Sequence, residues 1–436
     1  MLSLIIRNAR IARPDGSTVE GDLACEHGRI ARIDAAIDAQ ARESIDADGR
    51  LLLPGVIDPH VHLREPGKEH KEDLASGSRA AARGGVTSFL EMPNTEPATT
   101  TRALLADKLA RAARKSVVNY GFFMGATPDN LDELNAASPT PGIKIFMGCS
   151  TGGLLVDRDE DLERIFAGGE RVICVHAEDE KRMHARQQQF AGRGDPAVHS
   201  EIRDNEAARI ATARALAFSK KYRRRLHIMH MSTHEEVELL RADKPAWVKA
   251  EASPNHLFLN DAEYARQGTL VQMNPPMRKR EDNAALWAAL HDGVIDFIGT
   301  DHAPHTLAEK QRPYGQAPSG MPGIETALPL MLTEMQAGRC TLAQVQQWMC
   351  YGPAAAYGIP DKGRILEGWD ADLTLVDLDT PRTLGNADIV SKCAWTPYAG
   401  RVLRGWPLYT IVAGTVVYDR GRFRDGVLGQ ALRFGD

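Results

Sequence analysis

Eight apolar, strand-like runs follow Pro54, at 56–63, 85–93, 117–124, 142–147, 171–178, 225–232, 248–254 and 294–301. Between them lie helical patterns, among them Leu74–Ala82, Arg102–Arg114, Asp159–Phe166, Glu206–Lys221 and His234–Arg241. Strands that alternate with helices pair in parallel through crossovers. Eight such units over roughly 300 residues predict an α/β fold of the (β/α)8 TIM-barrel type, with a doubly wound open sheet as the structural alternative.

The two ends of the chain read differently. Leu2–Ile11 and Asp22–Ile33 look like short strands bounded by Pro14-Asp15-Gly16 and Gly28. From about residue 361 strands return, at Ala371–Leu378 and Tyr409–Tyr418, with turn residues at Gly363, Gly368-Trp369-Asp370 and Gly414. The expectation is a small β-sandwich domain assembled from residues 1–54 and 361–436, beside a barrel at 55–360. With 436 residues the chain is long enough for both.

Charge and composition exclude several classes. Net charge is −5 without a long block of one sign. The densest basic cluster, Lys220 and Lys221 with Arg223-Arg224-Arg225, reads as a solvated helix end, so no nucleic-acid partner is expected. No apolar run reaches the roughly 18–20 residues of a membrane span, and the N-terminus lacks a secretory pattern. Six cysteines (25, 149, 174, 340, 350 and 393) show no Cys-x-x-Cys spacing. That fits a reduced, cytoplasmic chain and excludes a thiolate zinc finger.

Chemistry in such a barrel sits at the carboxyl ends of the strands. In the first run, Asp58, His60, His62 and Arg64 alternate along a strand and so share one side. The second ends in Met92-Pro93-Asn94-Thr95, the fourth carries Lys144, the fifth ends His176-Ala177-Glu178, the sixth contains His230, and the eighth ends Thr300-Asp301-His302-Ala303-Pro304-His305. Four histidines, a lysine and an aspartate on one rim predict a metal site. Lys144 lies in the apolar Gly142-Ile143-Lys144-Ile145-Phe146-Met147, where a lysine is rarely buried without a partner. An ammonium beside divalent cations is repelled, whereas carboxylation gives an anion able to bridge two metals. Burial and nearby positive charge both favour the neutral amine that this requires. His227 and His230, three residues apart on one strand, fall on opposite faces. His230, nearer the carboxyl end, is the candidate ligand and His227 a packing residue.

These residues resemble the amidohydrolase superfamily. More narrowly, His60-Val61-His62-Leu63-Arg64-Glu65-Pro66-Gly67 with His70-Lys71-Glu72-Asp73, Met92-Pro93-Asn94-Thr95, Met273-Asn274-Pro275-Pro276-Met277-Arg278 and Thr300–His305 resemble the dihydroorotase family. The likeness runs from Pro54 to the Gly-x-x-Ala-Asp motif at 368–372. It implies two zinc ions per subunit: one held by His60, His62 and Asp301, the other by His176 and His230, with Lys144 as N6-carboxylysine between them. The implied reaction is the reversible interconversion of dihydroorotate and N-carbamoyl-L-aspartate in pyrimidine (UMP) biosynthesis. Asp301 is the implied proton carrier. Arg64, Asn94 and His305 would grip the substrate carboxylate, Asn274 would lie near the ring, and a loop from His305 to Gly323 would cover it with backbone groups around Gly323. The partner is a small molecule, with neither nucleic acid nor membrane, in a homodimer or larger homo-oligomer. Arg64 suits a carboxylate because its planar fork donates two parallel hydrogen bonds. The Gly-Ile-Lys-Ile-Phe-Met segment also resembles hydantoinases and allantoinases, which keeps those activities as the alternative. In Ser253-Pro254-Asn255-His256, Asn255 stands where relatives often carry a second histidine, and His256 is expected to support the site indirectly.

Overall fold

A computed structural model describes residues 1–148 and 154–435; Cys149 lies outside the described residues. Five strands precede the barrel: β1 (Leu2–Ala12), β2 (Thr18–Glu26), β3 (Arg29–Asp34), β4 (Ala41–Asp46) and β5 (Leu51–Pro54). The barrel strands are β6 (Val56–Val61), β7 (Val86–Glu91), β8 (Asn119–Phe122) with its continuation β9 (Met124–Gly125), β10 (Ile143–Phe146), β11 (Ile173–His176), β12 (Leu226–Met231), β13 (Val248–Ala252) and β14 (Phe297–Ile298). Each coincides with one of the eight apolar runs.

These strands pair in parallel in the order β6-β7-β8 and β9-β10-β11-β12-β13-β14. A parallel bridge between Val61 and His302, with the His62 N–H donating to the His302 carbonyl at 2.8 Å, closes the ring. Eight strands leave an interior that side chains fill. Helices return the chain outside the ring, and their starts follow from local sequence. Asp73 accepts from the Ser76 N–H at 2.8 Å and opens the helix Leu74–Arg83. Asp204 accepts from the Ala207 N–H at 3.1 Å and opens Asn205–Tyr222. Each satisfies backbone donors that the first helical turn leaves without partners.

After the barrel come β15 (Leu373–Asp377), β16 (Arg382–Thr383), β17 (Val402–Leu403), β18 (Trp406–Val412), β19 (Thr415–Asp419) and β20 (Arg422–Phe423). β16 and β17 form a separate ribbon. The others join the first five strands in one sheet, β20-β19-β18-β15-β5-β1-β2-β3, with β4 also alongside β1. The two chain ends meet where β5 runs antiparallel to β15, Leu51–Pro54 against Leu373–Val376. Leu4, Ile6, Ile11, Leu23, Leu52, Leu373 and Ile411 bury the inner face of this β-sandwich domain.

Three segments differ from the sequence reading, each for a local reason. Asp22–Ile33 is two strands, turned at His27 and Gly28, which both adopt positive φ (51° and 80°). Tyr409–Tyr418 turns in the same way at Ala413-Gly414 (φ 46° and 68°). In both, turn chemistry outweighs a continuous β pattern. The apolar run from Leu51 to Ile57 breaks at Gly55, which hands the chain from sandwich to barrel. Its N–H donates to the Asp372 carbonyl at 2.8 Å, and a Cβ there would lie 2.2 Å from Thr87 Oγ1. The Asp372 carboxylate accepts from Asn119 Nδ2 (2.9 Å) and the Ala413 N–H (2.8 Å) and pairs with Lys362 (2.5 Å), so one side chain ties both units together.

One buried ion pair connects the fold to the site. Glu91, at the end of β7, lies 2.7 Å from Lys108 Nζ and accepts from the Leu63 N–H at 3.1 Å, between His62 and Arg64. Both charges are almost wholly out of water. Lys108→Met strands the Glu91 carboxylate, and such losses cost about 3–5 kcal/mol. A fall of that size in unfolding free energy is expected in urea denaturation.

Candidate active site

The carboxyl ends of the barrel strands enclose a small cavity lined by His60, His62, Arg64, Asn94, Lys144, Phe146, His176, His230, Asn274, Asp301, Ala303, Ser319 and Gly320. Nine of the eleven residues expected at the site from sequence are among them. The other two lie just behind. His305 touches Arg64, Nε2 to Nη2 at 3.2 Å. Gly323 directs its N–H to His302 Nδ1 at 3.1 Å.

Strand alternation carries His60 and His62 inward, but β6 ends at Val61. Arg64 reaches the cavity through a left-handed turn of its own backbone, φ 66°. His230 (φ 36°) and Asp301 (φ 48°) are also left-handed. Non-glycine residues in this region carry strain that surrounding structure must hold.

The first candidate ligand group is His60, His62 and Asp301, whose donor atoms lie within 4.8 Å of one another. His60 Nδ1 is 2.7 Å from Glu251 Oε1, and His62 Nδ1 is 2.7 Å from Asn94 Oδ1. Both neighbours are acceptors, so each imidazole carries its proton on Nδ1. The bare Nε2 atoms then face Asp301 Oδ1 at 3.3 and 3.1 Å. Lone pairs directed at a carboxylate oxygen call for a cation among them, and an orienting acceptor on the far ring nitrogen is the usual companion of a ligating histidine. Burial pulls the two imidazoles down to about 3 and about 4, which keeps them neutral. At Asp301 burial works toward a raised pKa, but the adjoining imidazoles of His60 and His62 prevail and hold the carboxyl at about 2.

A second pair faces the same space. His176 Nε2 is 2.9 Å from Glu178 Oε2, and Arg203 pairs with that carboxylate. This leaves His176 Nδ1 bare, 3.0 Å from His230 Nε2. His230 Nδ1 is buried and has no hydrogen-bond partner among the described residues. Lys144 projects between the two groups from β10. Its Nζ lies 2.8 Å from Met229 Sδ and 4.8 Å from the centre of the Phe146 ring. It has no carboxylate partner within 4.0 Å among the described residues, and burial lowers it to about 8. An amine this poorly matched to its neighbours is suited to conversion into an anion. The donor set therefore fits divalent metal on both sides of Lys144.

Arg64 is buried, with Nε donating to the Pro304 carbonyl at 3.0 Å and no carboxylate in reach among the described residues. Asn274 Oδ1 is 2.8 Å from His199 Nε2, which turns the amide nitrogen toward the cavity. The segment after Pro304 is anchored rather than open. Lys310 Nζ donates to the carbonyls of Gln272 (2.8 Å) and Pro318 (2.9 Å), bringing Ser319 and Gly320 over the site. His256 supports the same region, with Nε2 on the Pro275 carbonyl at 3.1 Å, and Asn255 accepts from the Tyr398 hydroxyl at 2.8 Å. His227 does not take the opposite face expected from alternation, because β12 is irregular between Ile228 and Met231. It lies inside the barrel beneath the site, with Nε2 3.5 Å from Glu251 Oε2, its ring bonded to the Tyr357 hydroxyl and packed on Phe297.

Sequence reasoning missed the residues that hold the ligands: Glu251, Glu178 with Arg203, and His199. Glu251 had a detectable signal, a carboxylate inside Val248-Lys249-Ala250-Glu251-Ala252, of the same kind that singled out Lys144. The others lie on helices or strand ends where a charge is ordinary.

Comparison with known proteins agrees with this geometry. The chain belongs to the amidohydrolase family, whose description "Amidohydrolase family" matches residues 51–417. Among curated relatives, a dihydroorotase of Halobacterium salinarum is 39% identical over 421 residues, covering 95% of this chain and 96% of its own. A dihydroorotase of Geobacillus kaustophilus is 36% identical over 437 residues, covering 96% and 99%. Among solved structures, an L-hydantoinase (dihydropyrimidinase) from Arthrobacter aurescens superposes with a TM-score of 0.94 at 32% identity, covering 99% of this chain and all of its own. A D-hydantoinase (dihydropyrimidinase) from a Thermus species gives 0.91 at 26%, covering 99% of each.

Glu251→Leu removes the acceptor that fixes His60. A 10–100-fold loss of metal affinity is the usual scale for such a change and is expected here in competition against a chelator. Glu251→Gln, which keeps an acceptor oxygen, should lose much less.

Proposed function

We propose that this site opens and closes the cyclic amide of dihydroorotate, interconverting it with N-carbamoyl-L-aspartate in pyrimidine synthesis. The observation that carries the reading is Arg64, a buried cation at the cavity wall with no carboxylate within 4.0 Å among the described residues. A buried charge without a partner is costly, and a substrate carboxylate supplies one. Burial lowers the guanidinium only to about 10, so it stays charged. The curated relatives named above point the same way.

His60, His62 and Asp301 would hold one zinc ion and His176 and His230 a second, with carboxylated Lys144 between them. Bound metal lowers the pKa of a coordinated water to about 7 and polarises the attacked carbonyl. The rest falls to the chain's own residues. Arg64 and His305 hold the carboxylate, with Asn94 at its side, and the Asn274 amide N–H fixes the ring. Asp301 takes the proton of the attacking water and delivers it to the departing ring nitrogen; in ring closure it runs the other way. Ser319 and Gly320 cover the ring, and backbone around Gly323 backs that cover through His302.

The reading extends to residues 55–360 as the hydrolase barrel, with residues 1–54 and 361–436 as its supporting unit. It also takes the protein as a homo-oligomer of the cytoplasm. The five described cysteines are buried and unpaired, which suits a reducing compartment, and no helix among the described residues is long and apolar enough to cross a membrane. A second reading, a hydantoinase or allantoinase, is favoured by the solved structures that share the fold. Assays on dihydroorotate, hydantoin and allantoin separate the two, and robust turnover of either neutral ring without dihydroorotate would sink the first.

Two variants divide the roles. Arg64→Met should cut kcat/KM for dihydroorotate about a hundredfold or more, from two charge-assisted bonds at roughly 1.5–3 kcal/mol each, while metal content by atomic absorption stays intact. Lys144→Ala should lose most of both metal and activity.

A further inference from the structure

Lys71 is a cation that the chemistry above does not use. It follows β6 in the segment after Arg64, and its side chain is only 12% exposed. Its Nζ lies 3.1 Å from Glu309 Oε1 and 3.0 Å from His305 Nδ1. An ammonium has three donors and no acceptor. The nitrogen it faces must therefore be the bare one, and the His305 proton sits on Nε2. That Nε2–H points to the Ser319 carbonyl at 2.9 Å and stands 3.2 Å from Arg64 Nη2.

The consequence concerns Arg64. With Nε2 protonated, imidazole and guanidinium cannot bond to each other, because both are donors. The guanidinium N–H and the imidazole N–H, the latter shared with the Ser319 carbonyl, lie side by side at the cavity wall, and an anionic oxygen placed between them accepts from both. The other tautomer, with the proton on Nδ1, would present a bare Nε2 to Arg64. The guanidinium would then be satisfied inside the protein and its hold on an anion weakened.

We propose that Lys71 is a positioning residue for substrate specificity: by occupying His305 Nδ1, while the Ser319 carbonyl accepts from Nε2, it holds the ring in the tautomer and orientation that keep Arg64 and His305 together as a double donor for the carboxylate of the substrate ring. This rests on the reading that the substrate is anionic. Glu309 holds Lys71 in place, and Thr306 holds Glu309, its hydroxyl donating to Glu309 Oε2 at 2.9 Å. Lys310, fully buried, ties the same loop by donating to the carbonyls of Gln272 and Pro318, and burial pushes its ammonium well below the usual lysine range.

The test uses metal-replete enzyme, with orotate as the anionic probe and uracil as its uncharged counterpart. Lys71→Met is expected to raise the KM for dihydroorotate and the Kd for orotate tenfold or more, to change kcat less than threefold, and to leave uracil binding and metal content as in the parent. Lys71→Arg, which keeps a donor toward Nδ1, is expected to stay within threefold of the parent on every measure. Lys71→Met binding orotate within twofold of the parent overturns the proposal. So does an equal loss for orotate and uracil, or loss of metal, which marks a merely structural lysine. A parent enzyme that neither turns over dihydroorotate nor binds orotate would instead overturn the anionic-substrate reading beneath it, and the proposal with it.

Discussion

The seam between β6 and β14 is the contact on which the site depends. The Thr300 hydroxyl and N–H donate to the Asp58 carboxylate at 2.6 and 3.0 Å, and the His302 N–H donates back to Thr300 Oγ1 at 3.0 Å. Two and four residues past Asp58 stand His60 and His62; one residue past Thr300 stands Asp301. Closing the barrel and assembling the first ligand group are thus the same event. Gly299 makes the approach close enough, since a Cβ there would come 2.4 Å from Glu251 Oε2 and 3.1 Å from His60 Cβ. The left-handed backbone at Asp301 is held between these fixed points, which is where strain can be carried.

Around the ligands lies a second layer that decides their protonation. Glu251, Asn94 and Glu178 each take the far nitrogen of one imidazole, so the near nitrogens of His60, His62 and His176 are turned inward as bare acceptors. Glu178 can remain ionised because Arg203 and His176 hold its carboxyl well below the usual range against the cost of burial. Buried charges of this kind contribute little to stability by themselves. Their value here is geometric: they hold the near nitrogens of His60, His62 and His176 in fixed directions.

Most of the barrel was legible because a buried parallel strand is apolar along its length, and a histidine, lysine or aspartate inside such a run stands out. That is how His60, His62, Lys144, His176, His230 and Asp301 were found. Turns were less legible: at His27-Gly28 and Ala413-Gly414 a single strand pattern hides a hairpin. The orienting residues were least legible, because their meaning lies in a partner far along the chain. Glu251 is 191 residues from His60, and His305 is 234 residues from Lys71. A glutamate on a strand or a lysine in a loop has no signature until the fold supplies its neighbour. Arg64 is an intermediate case, since alternation placed it on the correct side although the strand had already ended.

Dihydroorotases and hydantoinases both match this chain over nearly its full length, so the fold does not choose between them. What distinguishes the rings chemically is one carboxylate. On the proposed reading, the end of the cavity with the imidazoles, Lys144 and Asp301 addresses the amide that the rings have in common. The opposite end holds Arg64, donating to the Pro304 carbonyl with no carboxylate within 4.0 Å among the described residues, and set against His305, which Lys71 contacts from behind. For a neutral ring the buried Arg64 guanidinium would be a desolvation cost with no return. On the proposed reading a carboxylate offsets that cost, which would tie the specificity of the site to the charge of its far wall rather than to its candidate metal ligands.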